Sequence, residues 1–316
     1  MSTKEILYKF IQLGLGSIEP FDIPANVEWK ELVELASAQG VVAISFDGYQ
    51  KLGVQGILSE IDFMRWYGYS NLVKTKWHNQ LSSSSELAYN WKKLDIRTLV
   101  LKGFSFALYY PNPSSRPASD LDCYLCGRYE DGNRQVEEMG IEVHREDYRH
   151  STFQYNFVHV ENHKICTTVR GKRQRKVFER YLRVLLETKP TQKQYGSELE
   201  KPCLMFNSLY FLQHAHRHFL REGFQLRYIC DWAMLVKAMS EDSSFDLDEF
   251  WIQCKMNDLK PFAESMSRLA NYVCGVKAPW LDDTLKLQKQ DELLLCDCYN
   301  LSKNAIKYGN NFYAHF

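Results

Sequence analysis

The residues best suited to chemistry are two aspartates, Asp120 and Asp122, on a segment whose pattern predicts a β-strand. Alternate residues of a strand point to one face, so the two carboxylates project together with Cα atoms roughly 6.5–7 Å apart. Like charges this close repel each other unless a cation neutralises them. Carboxylate oxygens are the ligands that Mg²⁺ prefers, with waters and substrate phosphates completing its shell. An isolated Asp-x-Asp pair is also common in surface loops, so its context decides between the two interpretations.

That context is a run of short apolar, β-branched segments. They predict strands over residues 98–101, 120–125, 141–148, 152–158 and 160–169. The first strand ends in a tight turn at Lys102 and Gly103, and the last carries Glu161 in an apolar frame. Glu161 is therefore a candidate third carboxylate, which would allow a site for two metal ions.

Helical periodicity dominates both ends of the chain. It predicts helices over residues 4–13, 29–39, 41–52, 57–82 and 86–94, with a polar seam at 82–85. A polar stretch ends near Lys201, and the pattern from 203 to about 301 is helical again. The predicted fold is α+β: a helical N-terminal region (1–94), a small mixed-sheet core (95–195) and a helical C-terminal region (196–316).

The ordered motifs from residue 95 to 235 resemble a known family. Their residues are Leu101-Lys102-Gly103, Tyr110-Pro111-Asn112-Pro113, Arg116, Asp120-Leu121-Asp122, Val160-Glu161-Asn162-His163, His214, His218-Phe219, Gly223, Leu226-Arg227 and Asp231-Trp232. This set is similar to the uncharacterised bacterial nucleotidyltransferases of the DNA polymerase β superfamily. The whole set is much more specific than any one of its members.

The resemblance implies a small sheet flanked by helices that binds two Mg²⁺ ions and a nucleoside triphosphate such as ATP. Asp120, Asp122 and Glu161 match the family's metal-binding and catalytic acids, and Gly103 matches the turn that approaches the triphosphate. Most superfamily members carry Gly-Ser or Gly-Gly at this turn, whereas Phe104 follows Gly103 here. Ser105 is the candidate for the missing hydroxyl, and Lys102 for a charge that faces the phosphates.

Other candidate residues carry two interpretations each. Arg116 is expected either to clamp a phosphate or to form a structural ion pair. His163, like His150, either contacts substrate or is a hydrogen-bonded structural residue. His214 and His218 share a helical face and are expected to line the cleft rather than to bind zinc. Arg227 and Asp231, one turn apart, are expected beside them as an ion pair.

Composition sets further limits. Lysine plus arginine equals aspartate plus glutamate, 39 against 39, which excludes a globally basic nucleic-acid coat. Five bases between Arg170 and Lys176 form a local cluster, either a solvated face or a contact for an anionic partner. The absence of a signal-like segment and of long apolar runs predicts a cytoplasmic protein without membrane contact, its nine cysteines reduced.

The predicted activity is transfer of a nucleoside monophosphate from an NTP to a hydroxyl or phosphate, with release of pyrophosphate. Magnesium ions would bridge the triphosphate and activate the attacking hydroxyl, and Glu161 or Asp122 would hold the second ion or accept the proton. The acceptor is open among a small molecule, a protein side chain and an RNA end. Two alternatives are a catalytically weak or inactive nucleotide-binding module and a toxin-type nucleotidyltransferase.

Overall fold

A single mixed β-sheet forms the centre of the molecule. The computed structural model describes residues 1–53, 57–167, 173–221, 223–282 and 286–299. The strands are β1 (Thr98–Val100), β2 (Asp120–Tyr124), β3 (His150–Tyr155), β4 (Val158–His163), β5 (Gln192–Lys193) and β6 (Leu199–Lys201). They lie in the order β3-β4-β2-β1-β6-β5. β2 is antiparallel to β1 and parallel to β4, which makes the sheet mixed, as predicted.

Helices precede, interrupt and follow the sheet. The N-terminal ones are α1 (Thr3–Leu15), α2 (Trp29–Ala38), α3 (Val42–Lys51) and α4 (Glu60–Lys92). Between strands lie α5 (Phe104–Ala107), α6 (Tyr129–Glu138) and α7 (Arg173–Thr188). The C-terminal ones are α8 (Leu204–Arg221), α9 (Leu226–Glu241), α10 (Leu247–Met256), α11 (Lys260–Cys274) and α12 (Lys289–Tyr299). The α+β class predicted from the sequence is confirmed.

The two faces of the sheet pack into different apolar clusters. Leu121 and Cys123 of β2 belong to a cluster with Trp91 of α4 and Val136 of α6. Tyr124, which points the other way, belongs to the larger cluster formed mainly by the N-terminal and C-terminal helices. Because side chains alternate along a strand, Asp120 and Asp122 lie on the same side as Tyr124. The acids therefore lie on the face of the sheet that is covered by the C-terminal helices.

Two glycines bring α1 and α3 into close contact. A Cβ atom at Gly48 would lie 2.0 Å from the carbonyl oxygen of Phe10, and one at Gly14 would lie 2.2 Å from that of Ile44. Any side chain at either position would push the helices apart. The N-terminal helices thus form a tightly packed support beside the sheet.

The predicted break at residues 82–85 is wrong, because α4 is continuous through it. The buried Ser83 and Ser84 donate hydrogen bonds to the carbonyls four residues earlier, at 3.1 and 2.8 Å. This back-bonding satisfies each hydroxyl inside the helix, so a polar run does not end it.

The strand predicted over residues 141–148 is also wrong, since only His144 forms an isolated bridge there, to Thr152. Conversely, the polar stretch before Lys201 contains β5 and β6, which the sequence pattern did not show. β6 pairs in parallel with β1, so the sheet continues past the proposed boundary at residue 195. Strands this short and polar carry little hydrophobic alternation, which is why they were missed.

Among the described residues, no helix is both long enough and apolar enough to cross a membrane. All nine cysteines are free thiols, as expected.

Candidate functional site

Polar side chains form a lattice on one face of three neighbouring strands. The parallel pairing of β2 with β4 sets Asp122 directly opposite Glu161. The antiparallel pairing of β3 with β4 sets Thr152 opposite Glu161 and His150 opposite His163. Residues that face each other across a ladder have Cβ atoms about 4.5–5.5 Å apart. The third acid predicted from sequence thus lies beside the first two because β2 and β4 are neighbours.

Asp122 is the centre of this lattice. Its carboxylate is 1% exposed, and Oδ1 lies 3.0 Å from Lys102 Nζ and 3.2 Å from His163 Nε2. The same His163 nitrogen lies 3.3 Å from Glu161 Oε2. The other oxygen of Asp122, Oδ2, is buried and has no hydrogen-bond partner among the described residues. A buried carboxylate oxygen without a partner destabilises the folded state, so this atom indicates a binding position for a positively charged ligand.

The charges of the lattice shift the pKa values of its members in opposite directions. Burial alone would raise the pKa of Asp122, but Lys102 and His163 outweigh it and lower that pKa. The same balance, with His163 as the main partner, lowers the pKa of Glu161. Burial opposes protonation of His163, yet hydrogen bonds to Asp122 and Glu161 raise its pKa to about 9. Two ionised acids therefore share one positively charged ring.

Asp120 is in a different electrostatic position. Burial and the neighbouring Asp122 raise the pKa of Asp120, while Lys102 partly offsets them. The backbone just before Asp120 is held by α4, since Gln80 donates a hydrogen bond of 2.6 Å to the carbonyl of Ser119. A cation beside Asp120 would remove the repulsion that raises its pKa.

The turn after β1 brings Lys102 and Gly103 to the acids. Gly103 has φ 62° and ψ −108°, a conformation that a residue with a Cβ atom rarely adopts. It begins the short helix α5, whose Phe104 is fully buried against Trp77 of α4. The turn therefore needs glycine for its backbone shape.

A cleft of about 120 Å³ opens between this turn, β2 and the helices α8 and α9. Nine of the predicted site residues line it: Lys102, Gly103, Arg116, Asp120, Asp122, His214, His218, Arg227 and Asp231. Glu161 and His163 lie next to this cleft. His163 contacts Asp122, which lines it, and Glu161 contacts His163. Larger pockets lie on the surface of α7, but Asp120, Asp122 and Glu161 do not line them.

Arg116 forms the structural ion pair that was one of its two expected roles. Its Nε and Nη2 atoms donate to the two oxygens of Asp231 at 2.8 and 2.9 Å, and Tyr110 Oη donates to the same carboxylate at 2.7 Å. Arg116 and Asp231 are 6% and 2% exposed. The expected pairing of Asp231 with Arg227 is wrong, because Arg116 occupies both carboxylate oxygens.

Arg227 consequently lines the cleft without an ion pair among the described residues. It is partly exposed, and its Nε atom is buried without a hydrogen-bond partner in the part of the chain that the structure describes. A buried guanidinium N–H without an acceptor is costly, so an anionic ligand fits here better than solvent.

Ser105 does not reach the cleft. It is fully buried, and its hydroxyl lies 3.5 Å from Asn207 Oδ1 of α8. It is the second residue of α5 and is not among the residues that line the cleft, so it does not supply the hydroxyl that the Gly103-Phe104 turn lacks.

The histidines of α8 lie against each other. The rings of His214 and His218 have centroids 4.3 Å apart. Burial, followed by the charge of Lys102, lowers the pKa of His214 well below its usual value, so this ring is neutral. Within the described part of the chain, the only set of three residues placed to share a metal ion is His150, Glu161 and His163. No third residue placed to share a metal ion with His214 and His218 is found among the described residues.

Of the basic cluster, residues 170–172 lie outside the described residues. Arg173, Arg175 and Lys176 are exposed on the first turns of α7. They do not line the cleft that contains the acids.

Strand β3 carries a polar face beside the acids. His150, Thr152 and Gln154 alternate with Ser151, Phe153 and Tyr155, and this period of two was readable from the sequence. The pairing of β3 with β4 was not readable. It is this pairing that places His150 next to His163.

The comparisons identify the class. The model of a family described as uncharacterised nucleotidyltransferase matches residues 25–275, most of the chain. The chain belongs to this family, and it is a nucleotidyltransferase by class. No curated protein matches the chain, and no solved structure does.

Proposed function

We propose that this protein transfers a nucleoside monophosphate from an NTP to an acceptor hydroxyl or phosphate, with Mg²⁺ or a related divalent ion as cofactor and pyrophosphate as product. The observation that supports this most is the placement of Asp120, Asp122 and Glu161 on one face, beside the Lys102–Gly103 turn. Family membership supports the reaction class.

The residues present fit divalent cations. Asp122 Oδ2 is buried without a partner among the described residues, and three carboxylates on adjacent strands offer the oxygen ligands that hard cations prefer. Lys102 and His163 already place positive charge beside Asp122, which is consistent with a face where carboxylates repel one another. Asp120, Asp122 and Glu161 would hold the ions, whose charge would neutralise the triphosphate and lower the pKa of the attacking hydroxyl.

The protein's own groups would bind and orient the triphosphate. Lys102 lies at the mouth of the turn, where its ammonium group can reach both Asp122 and a phosphate. Arg227, on the α8–α9 side of the cleft, carries an Nε–H donor that has no acceptor among the described residues. Two cations lining one cleft would hold the triphosphate in line with the acceptor, which is how positioning lowers the barrier. Arg116 would act by holding the loop before β2.

The test is incubation with NTPs labelled at the α-phosphate, with and without Mg²⁺, followed by measurement of label transfer and pyrophosphate release. We expect release with wild type and its loss in Asp120→Asn and Asp122→Asn. Glu142→Gln is the matched control, because this carboxylate is 84% exposed and outside the cleft. Equal release from wild type and Asp122→Asn would refute the proposal.

A second candidate is a nucleotide-binding module without transferase activity. It is favoured by one observation, the buried position of Ser105, which leaves the turn without a hydroxyl facing the cleft. NTP binding that depends on Asp122, with no release of pyrophosphate for any NTP or acceptor tried, would indicate this function.

A further inference from the structure

Two histidines flank the third acid of the site. His150, Glu161 and His163 each offer one ligand atom, and these atoms lie within 4.8 Å of one another. The rings of His150 and His163 have centroids 5.1 Å apart, as their pairing across β3 and β4 requires. The acids of the proposed magnesium site offer only oxygen, so these rings add nitrogen ligands to the same face.

The spacing of the ligand atoms around His163 matches a coordination shell. Its Nε2 atom lies 3.2 Å from Asp122 Oδ1 and 3.3 Å from Glu161 Oε2. Ligand atoms bound to one ion at about 2.0–2.2 Å lie roughly 3.0–3.5 Å from each other at tetrahedral or octahedral angles. These distances are compatible with an ion bound by His163 Nε2 together with a neighbouring carboxylate oxygen.

The ring of His163 is oriented for this role. Its Nδ1 atom donates to the carbonyl of Ile165 at 3.4 Å, which leaves Nε2 directed at the two carboxylates. Histidines that bind metals commonly donate their other ring N–H to a backbone carbonyl, which fixes the tautomer.

Two further atoms at this site lack partners. Nδ1 of His150 and Oδ2 of Asp122 are both buried without a hydrogen bond among the described residues. Buried polar atoms are rarely left unpaired, so two such atoms near one charged cluster indicate a ligand. A bound ion would take the place of the hydrogen bonds that link His163 Nε2 to the two carboxylates.

We propose that His163 Nε2 is a nitrogen ligand of the cation held by Asp122 and Glu161, that His150 supplies a second nitrogen, and that this position therefore binds first-row transition ions such as Mn²⁺ or Co²⁺ more tightly than Mg²⁺. Imidazole nitrogen favours transition ions, whereas Mg²⁺ favours oxygen ligands. The inference rests on the proposed function only in that both place a cation at these two acids.

The test uses Mn²⁺ alone with the full-length protein, without nucleotide. Electron spin echo measurements detect ¹⁴N coupling when imidazole binds Mn²⁺ directly. We expect this coupling in wild type, a weaker signal in His150→Gln and none in His163→Gln. His144→Gln is the matched control, because His144 is exposed and near β3 but outside the cluster. Circular dichroism checks that each variant folds. If His163→Gln does not fold, His150→Gln alone provides the test, because the ring of His150 is only half-buried.

Titration calorimetry gives the second measurement. We expect Mn²⁺ to bind wild type at least about tenfold more tightly than Mg²⁺, with that ratio falling by roughly tenfold in His150→Gln. Mn²⁺ that binds without ¹⁴N coupling, or no binding of Mn²⁺, would overturn the inference. If ¹⁴N coupling to Mn²⁺ is observed but the protein transfers no nucleotide, the proposed function is overturned and the metal-site inference is supported.

Discussion

The buried pair of Arg116 and Asp231 allows a single substitution to test how the loop before Asp120 is held. Asp231 of α9 accepts three hydrogen bonds, two from Arg116 and one from Tyr110. Arg116 also donates to the carbonyl of Pro117 at 2.9 Å. The change Asp231→Asn keeps the size of the side chain and removes its charge, which leaves the guanidinium buried without a counter-ion.

The expected loss follows from the burial of both groups. Removing one partner of a buried ion pair costs about 3–5 kcal/mol, because the remaining charge stays desolvated. Asparagine keeps one oxygen acceptor, so we expect a loss near the lower end, about 3 kcal/mol. Tyr110→Phe removes one hydrogen bond to a charged group and should cost about 1.5 kcal/mol. The exposed Asp95, whose side chain is 92% accessible, provides the control: Asp95→Asn should change stability by less than about 0.5 kcal/mol.

Urea unfolding followed by circular dichroism and by tryptophan fluorescence measures these free energies, provided that the two signals change together. The ranking Asp231→Asn, then Tyr110→Phe, then Asp95→Asn is the expected result. A loss below about 1 kcal/mol in Asp231→Asn would refute the reasoning, since it would mean that the guanidinium finds solvent or another acceptor at little cost.

Three further predictions concern the cleft and its support. Asp122→Ala should abolish Mg²⁺-dependent NTP binding in calorimetry without unfolding the chain, whereas Glu142→Ala should not; unchanged affinity in Asp122→Ala would contradict the metal assignment. Arg227→Ala should weaken NTP binding roughly tenfold, because it removes a charge-assisted hydrogen bond to the phosphates. An unchanged dissociation constant would show that Arg227 does not contact the phosphates. Gly48→Ala should lower the free energy of unfolding by about 1–3 kcal/mol, because its Cβ would lie 2.0 Å from a backbone oxygen of α1. Gly68→Ala, where nothing lies within 4 Å, should instead raise it by up to about 1 kcal/mol, and equal effects at the two glycines would contradict the close packing.

Much of the core was readable from local pattern. The run Thr98–Val100 followed by Lys102 and Gly103 predicted a strand and a turn, and both are present. The alternation in β2 predicted that Asp120 and Asp122 share a face, and Leu121 and Cys123 pack into the apolar cluster on the other face while Tyr124 packs into the second cluster. These features depend on neighbouring residues only, so local sequence is enough to specify them.

Features that depend on distant contacts were harder to predict. α4 continues through its serines because each hydroxyl bonds within the helix and the helix packs over the sheet. β6 is a strand because β1 offers it a free edge, since its own three residues carry almost no pattern. Residues 141–148 look like a strand, but within them only His144 pairs with another segment, through a single bridge.

The candidate site shows the same division. The sequence by itself determined which groups are available: the Asp-x-Asp pair, a third acid, a glycine turn and several bases in a chain of zero net charge. Only the tertiary structure decided their partners. Parallel pairing placed Glu161 opposite Asp122, antiparallel pairing brought His150 to His163, and α9 gave Asp231 to Arg116 rather than to Arg227. Side-chain chemistry is carried by each residue alone, whereas the choice of partner depends on which strands and helices become neighbours when the core is buried.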